Sequence, residues 1–290
     1  LLMDRQSLKA AFTALSVLAV FSAAIFLRLP SCYESLWVDE LHSAWIVAGD
    51  FSRVYQRSVI GHQSPCYFFL LWIWKQAFGD SEMLLRLSSV LLVACGCVVT
   101  TLGVIRWTKS LLAGLTAGFI LAIENNSLFF GTELRPFALV ILFASIAAIT
   151  FLRLSSTESR HQKPATWCLL VVSILLSALA QPTCLGVLVW IPLGLGGIWW
   201  FRNPKQFFRC SVMDGVLLTT VILTLITLWK ITLGNSWAEK SMWGSFAKAT
   251  HWLQIGNMWD WTWLLVIPAI PVLLTLAFQK LRKRQIRDEA

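Results

Sequence analysis

The sequence predicts an all-α polytopic membrane protein, and three observations predict it. Of its 290 residues, 57% are hydrophobic and only 13% are charged. A soluble domain of this size could not hide so much apolar surface without large exposed patches. Several apolar runs approach the ~20 residues that cross a bilayer, and the basic residues gather in short clusters between those runs. A membrane barrel would need ~10-residue segments of alternating polarity instead. The net charge of +9 does not make the chain a nucleic-acid binder. Its cations follow membrane topology and form no basic stripe on a polar scaffold.

About eight spans are expected, at roughly 10–27, 84–105, 110–130, 136–152, 166–181, 183–201, 211–233 and 261–279. With these spans, five clusters holding 15 of the 24 Lys and Arg residues fall on one side. They begin with Arg5 and Lys9, continue through Arg106 and Lys109, and end with the run from Lys280 to Arg287. The positive-inside rule makes that side cytoplasmic and places both termini there. Residues 65–78 (PCYFFLLWIWKQAF) are apolar but too short to span. Counting them as a crossing would put every later basic cluster outside. They are expected to lie as a helix on the outer surface, with Lys75 reaching toward water. The break at Gln181-Pro182 ends the fifth span, because proline cannot continue the helix ladder.

The whole chain, 1–290, reads as one transmembrane domain with two outer loops, 29–83 and 234–260. The second carries Trp237, Trp243, Trp252 and Trp259, a density typical of interfacial anchors. The seven cysteines show no zinc or redox spacing. Cys32 and Cys66 share the first loop and would pair if it faced an oxidising compartment.

That first loop holds the candidate chemistry. Asp39 and Glu40 precede a short apolar face formed by Leu41, Ala44, Trp45 and Ala48, so a flat helix over 40–48 is expected, with Asp39 at its N-terminal end. Asp39 is then either a helix cap or a base that accepts a proton from an attacking hydroxyl. His62 lies just ahead of the 65–78 helix, whose free N–H groups make an anion site. Beside them, His62 suits a phosphate; the alternative is a surface histidine in a turn. Glu133 and Arg135 sit at the outer ends of two spans. Arg135 is either a phosphate ligand or a structural partner, since an arginine at the bilayer edge needs one of the two. Structural ion pairing is expected for Glu82, Arg86 and Glu133. Glu124, inside a span, has no explanation from sequence.

These segments occur in a fixed order. Asp39-Glu40 follows the first span, then His62-x-x-Pro65-x-Tyr67, Gly79-Asp80-Ser81-Glu82-x-x-x-Arg86-Leu87-x-Ser89, and Glu133-x-Arg135-Pro136-Phe137-Ala138-Leu139. The set, over about residues 10–200, resembles the GT-C glycosyltransferases. It is most similar to bacterial relatives of the protein mannosyltransferases and to the lipid A aminoarabinose transferase. The resemblance implies an integral protein of a bacterial inner membrane that transfers a hexosyl or pentosyl group with inversion. The donor would be a polyprenyl-phosphate sugar and the acceptor a lipid, glycan or protein hydroxyl at the outer face. The transfer would be metal-free or weakly dependent on a divalent metal, with no dedicated metal site. Asp39 would be the base with Glu40 assisting, and His62 and Arg135 would hold the donor phosphate. Members of the family are longer, so the chain is expected to be truncated. The competing readings are a transporter or flippase of lipid-linked sugars, and a non-catalytic membrane subunit.

Overall fold

The computed structural model describes residues 5–61, 63–155 and 164–181, and beyond them positions 184, 188, 191 and 194. Apart from those positions, the expected spans at 183–201, 211–233 and 261–279 lie outside the described residues, as do the loop 234–260 and most of the linker 155–165. Every α-helical or 3₁₀ element below belongs to the described residues, among which there is no strand.

Helix α1 (Arg5–Arg28) leads through a 3₁₀ turn (Pro30–Tyr33) into three short helices, α2 (Val38–Val47), α3 (Phe51–Ile60) and α4 (Pro65–Phe78). Then come α5 (Glu82–Thr108), α6 (Leu111–Ile123), α7 (Asn125–Thr132), α8 (Phe137–Ser155) and α9 (Pro164–Ala180). Three stretches are long and apolar enough to cross a membrane: 6–33, α5 and 137–154; α6 and α7 together would make a fourth. Helix α9 is apolar but shorter. The architecture is that of a membrane protein, and its surface agrees. Leu8, Phe12, Leu15 and Phe26 on α1 and Leu112 on α6 are more than half exposed, a cost that water imposes and lipid does not.

Helix α5 is the central post, packed by α1, α4, α6, α7 and α8. Its start is written in sequence: Gly79 ends α4 at φ +107°, a conformation open to glycine, and Ser81 caps α5 by accepting from Leu84 N. One core layer joins Val20 and Ala24 of α1 to Val93, Ala94 and Cys97 of α5, Ala122 of α6 and Ala138 of α8. A second lies under the short helices, where Ile46, Val54, Tyr67, Phe68 and Leu71 meet Leu85, Leu134 and Leu139. A third holds α8 to α9 through Ala147, Leu154, Trp167, Leu170 and Ile174.

Helix α4 begins at Pro65 and ends at Phe78, the bounds expected from sequence. Its lysine behaves differently: Lys75 Nζ donates to Val47 O at 3.3 Å instead of reaching for water. The single span expected at 110–130 is broken, with α6 and α7 meeting at 59°. Glu124 is the cause. Its backbone is extended (φ −60°, ψ 132°), and its carboxylate caps α7 by accepting from Asn126 N at 3.1 Å and Ser127 N at 2.6 Å. A carboxylate at a helix N-terminus satisfies free N–H groups and complements the dipole. Buried Arg28 then ties α1 to α7, donating to Ser127 Oγ at 2.8 Å and to Ala24 O at 2.9 Å. Cys32 and Cys66 are both free thiols.

Close approach of α6 to α5 requires two glycines. A Cβ on Gly118 would overlap the Thr101 hydroxyl, and one on Gly114 would stand 2.7 Å from the Thr101 carbonyl oxygen. Gly114→Leu should therefore force the helices apart and cost about 1–3 kcal/mol, the usual range for overpacking. Thermal unfolding in detergent measures it; an unchanged transition would show that the two helices do not meet this closely.

Candidate functional site

Two arginines and two adjacent carboxylates organise one end of the bundle. Asp39 and Glu40 lie in the first turn of α2, which begins at Val38 with Trp37 as its N-cap. Asp39 is therefore not the cap expected from sequence. It is the second residue of the helix, and Glu40 reaches back to accept from Trp37 N at 3.2 Å. Successive helical residues point about 100° apart, so the dyad divides: Glu40 turns inward and Asp39 turns out.

Glu40 is fully buried. Its Oε1 accepts from Arg86 Nε at 2.9 Å and from Leu134 N at 2.8 Å; its Oε2 accepts from Arg86 Nη2 at 2.5 Å and from Trp37 N. Arg86 is filled as completely. Beyond the fork to Glu40 it donates to Ser31 O at 3.0 Å, to Ser35 O at 2.9 Å and to Glu34 O. A guanidinium has five N–H donors and a carboxylate about four acceptor positions, and here all are used. Burial opposes the Glu40 charge, yet the Arg86 bonds and the Leu134 and Trp37 N–H groups outweigh it and hold its pKa below the ordinary value. The assisting catalytic role expected of Glu40 is thus replaced by a structural one, because the carboxylate has no free lone pair to offer. Ion pairing was expected for Glu82 as well; instead Glu82 Oε2 accepts from Leu36 N at 3.2 Å, and Arg86 turns to Glu40.

Asp39 forms an ion pair with Arg135. The pair is open to solvent, with 43% of the Asp39 side chain and 21% of the Arg135 side chain exposed. Arg135 also lies over the Phe137 ring at 5.2 Å, and its Nε is buried without a hydrogen-bond partner. His42, one turn beyond Asp39 on the same face of α2, stacks on Trp45 at 5.6 Å and crowds Gly61. Its i, i+3 spacing from Asp39 is the sequence signal that places it on that face. His62 itself lies outside the described residues.

Glu133 forms no ion pair among the described residues, contrary to expectation. It is 5% exposed, and its Oε1 is buried without a hydrogen-bond partner. Burial raises its pKa to about 7; Arg135 opposes the rise, while Glu40 and Asp39 add to it. It faces a polar cavity of ≈ 370 Å³ whose walls include Ser31, Glu34, Trp37, Glu40 and Arg86. Tyr67 is buried as well, its hydroxyl without a hydrogen-bond partner, and desolvation pushes its phenol well above the usual range. No cluster of three or more metal-binding side chains occurs among the described residues. No family model, curated protein or solved structure matches the chain.

The two buried acids give opposite pH dependences. Stability from Glu40, whose pKa is lowered in the fold, is present above the ordinary carboxylate range and lost as pH falls through the lowered value. Stability from Glu133, whose pKa is raised, is present below the ordinary value of ~4.3 and lost as pH rises through about 7. Glu40→Gln, which leaves Arg86 buried and unpaired, should cost about 3–5 kcal/mol at neutral pH. Glu133→Gln should flatten the fall in melting temperature between about pH 4 and 7. Melting curves across that range check both, and a slope unchanged by Glu133→Gln would mean that another group titrates there.

Proposed function

We propose that the protein is an integral-membrane glycosyltransferase of the GT-C type that uses a polyprenyl-phosphate sugar. The observation that carries this reading is the solvent-open Asp39–Arg135 pair, whose members adjoin in sequence the buried Glu40 of the Glu40–Arg86 pair and the Leu134 that Glu40 holds. A base and a phosphate ligand are then adjacent at the end of the bundle. The longer topology of eight spans, the cytoplasmic termini and the bacterial inner membrane belong to the same proposal.

The reaction balances without a further reactant. The acceptor hydroxyl oxygen attacks the anomeric carbon as its proton passes to the Asp39 carboxylate. The bond from that carbon to the phosphate oxygen breaks, and the polyprenyl phosphate leaves with the electron pair. Arg135 stabilises the growing charge on the phosphate, a task that the resemblance also assigns to His62. Arginine suits this task because its planar fork matches phosphate oxygens.

The ion pair also implies an order of events. Arg135 occupies the Asp39 carboxylate through this ion pair. An incoming phosphate competes for the guanidinium and releases the carboxylate next to the acceptor. Donor binding thus readies the base, and the pair protects the site when no donor is present.

The test is transfer from a defined polyprenyl-phosphate sugar by the purified full chain. Asp39→Asn should lower turnover by about 10²–10⁴-fold, the usual worth of a general base, while donor binding and the melting temperature persist. Arg135→Ala should weaken donor binding. Full activity in Asp39→Asn would overturn the mechanism. Donor consumed from neither face by the wild-type protein would favour a non-catalytic subunit instead.

A further inference from the structure

Helix α1 is packed along only part of its length. Toward its C-terminal end Val20, Ala24 and Arg28 are fully buried among α5, α6 and α7. Toward the N-terminus Leu8, Phe12, Leu15 and Leu18 are more than half exposed. Between this open stretch and α5 runs a groove of ≈ 700 Å³, lined by Lys9, Ala14, Val17, Phe21, Val98 and Leu102 among others.

The groove is apolar along its walls and basic at one end. Among the described residues, Lys9 is part of the lining and no carboxylate is. Arg106, exposed, stands one helical turn beyond Leu102 on the same stripe of α5. Neither cation has an ion-pair partner among the described residues. From Lys9 to Phe21 the groove follows α1 for about 18 Å at ~1.5 Å per residue. That is roughly half the ~30 Å thickness of a bilayer core, the depth of a single leaflet. A spanning helix from a partner would need the full thickness. An acyl chain needs one leaflet, and its headgroup then ends level with the cations.

We propose that this groove binds one anionic phospholipid, with an acyl chain laid between α1 and α5 and the phosphate between Lys9 and Arg106. Charge decides among lipids. A zwitterionic headgroup brings its own cation against two unpaired ones, whereas an anionic headgroup does not. Basic pockets between membrane helices bind anionic headgroups by this chemistry. The bound lipid covers the inward half of α1 and completes the bundle there, by contacts that do not depend on the transfer reaction proposed above.

The test uses the full chain reconstituted in vesicles of equal phosphatidylglycerol and phosphatidylcholine, extracted in mild detergent and weighed by native mass spectrometry. The wild-type protein should retain one phosphatidylglycerol in preference to phosphatidylcholine by roughly ten- to thirtyfold, the effect of two cations near the surface. The double variant Lys9→Gln/Arg106→Gln should lose most of that preference. Ala14→Phe, which fills the exposed groove and keeps both charges, should release the lipid. All three substituted side chains are surface-exposed or groove-lining, and unchanged helical circular dichroism confirms that the variants fold. Equal retention of the two lipids, an undiminished preference in the double variant, or a lipid-free dimer disrupted by Ala14→Phe would each overturn the proposal.

Discussion

The bidentate pair between Glu40 and Arg86 is the interaction on which this end of the described bundle depends. Through it one guanidinium and one carboxylate gather Ser31, Glu34 and Ser35 of the loop, Trp37 at the head of α2, and Leu134 between α7 and α8. Four of these residues lie between positions 31 and 37, and Leu134 stands 94 residues beyond Glu40 in the chain, so the pair ties two distant stretches together. An isolated charge so deeply buried would be expensive, but each partner here meets its full hydrogen-bonding capacity. The net stability from such a pair is small compared with the cost of breaking it. Its value lies in specificity: only one placement of the loop against α5 satisfies every group at once.

That constraint also explains the orientation of Asp39. With Glu40 fixed inward, helical geometry leaves its neighbour no inward direction. Asp39 must face out, where Arg135 meets it. Arg135 follows Leu134 by one residue, and Leu134 N is held by Glu40. The inner pair therefore positions both members of the outer pair, one through α2 and the other through the turn before α8. A rigid buried bond holds an exposed and exchangeable one in register.

Much of this was legible in the sequence, and the failures have physical causes. The bounds of α4 followed from Pro65 and from a run too short to span, whereas α5 starts at Glu82, two residues ahead of the expected span, where Ser81 caps it. The dyad was visible, but reading Asp39 and Glu40 as joint workers ignored the 100° between consecutive helical positions. The partner of Arg86 could not be found by proximity, since Glu82 lies one turn away and Glu40 lies 46 residues away. Burial, not spacing, chose between them. Glu124 looked anomalous because a continuous apolar stretch concealed a break. Once the chain bends there, the same carboxylate is an ordinary cap. Of the candidate residues, only His62 lies outside the described residues.

Charge balance gives the outer site a further property. Arg86 and Arg135 are matched by Glu40 and Asp39, so the two pairs are neutral together. Glu133 is the remainder, and burial raises its pKa to about 7, so that near neutral pH both protonation states are populated. A phosphate arriving at Arg135 would add negative charge beside it. Like charges nearby raise a carboxyl pKa further, so Glu133 would take up a proton as the phosphate enters and give it back as the phosphate leaves. An orphaned acid facing a polar cavity then has a physical purpose under the proposed reaction. Under that reaction its proton would offset part of the charge that the phosphate brings to Arg135. The same carboxyl explains why the site keeps an acid with no partner: an ion-paired Glu133 would stay charged, and the incoming phosphate would meet a fixed negative wall.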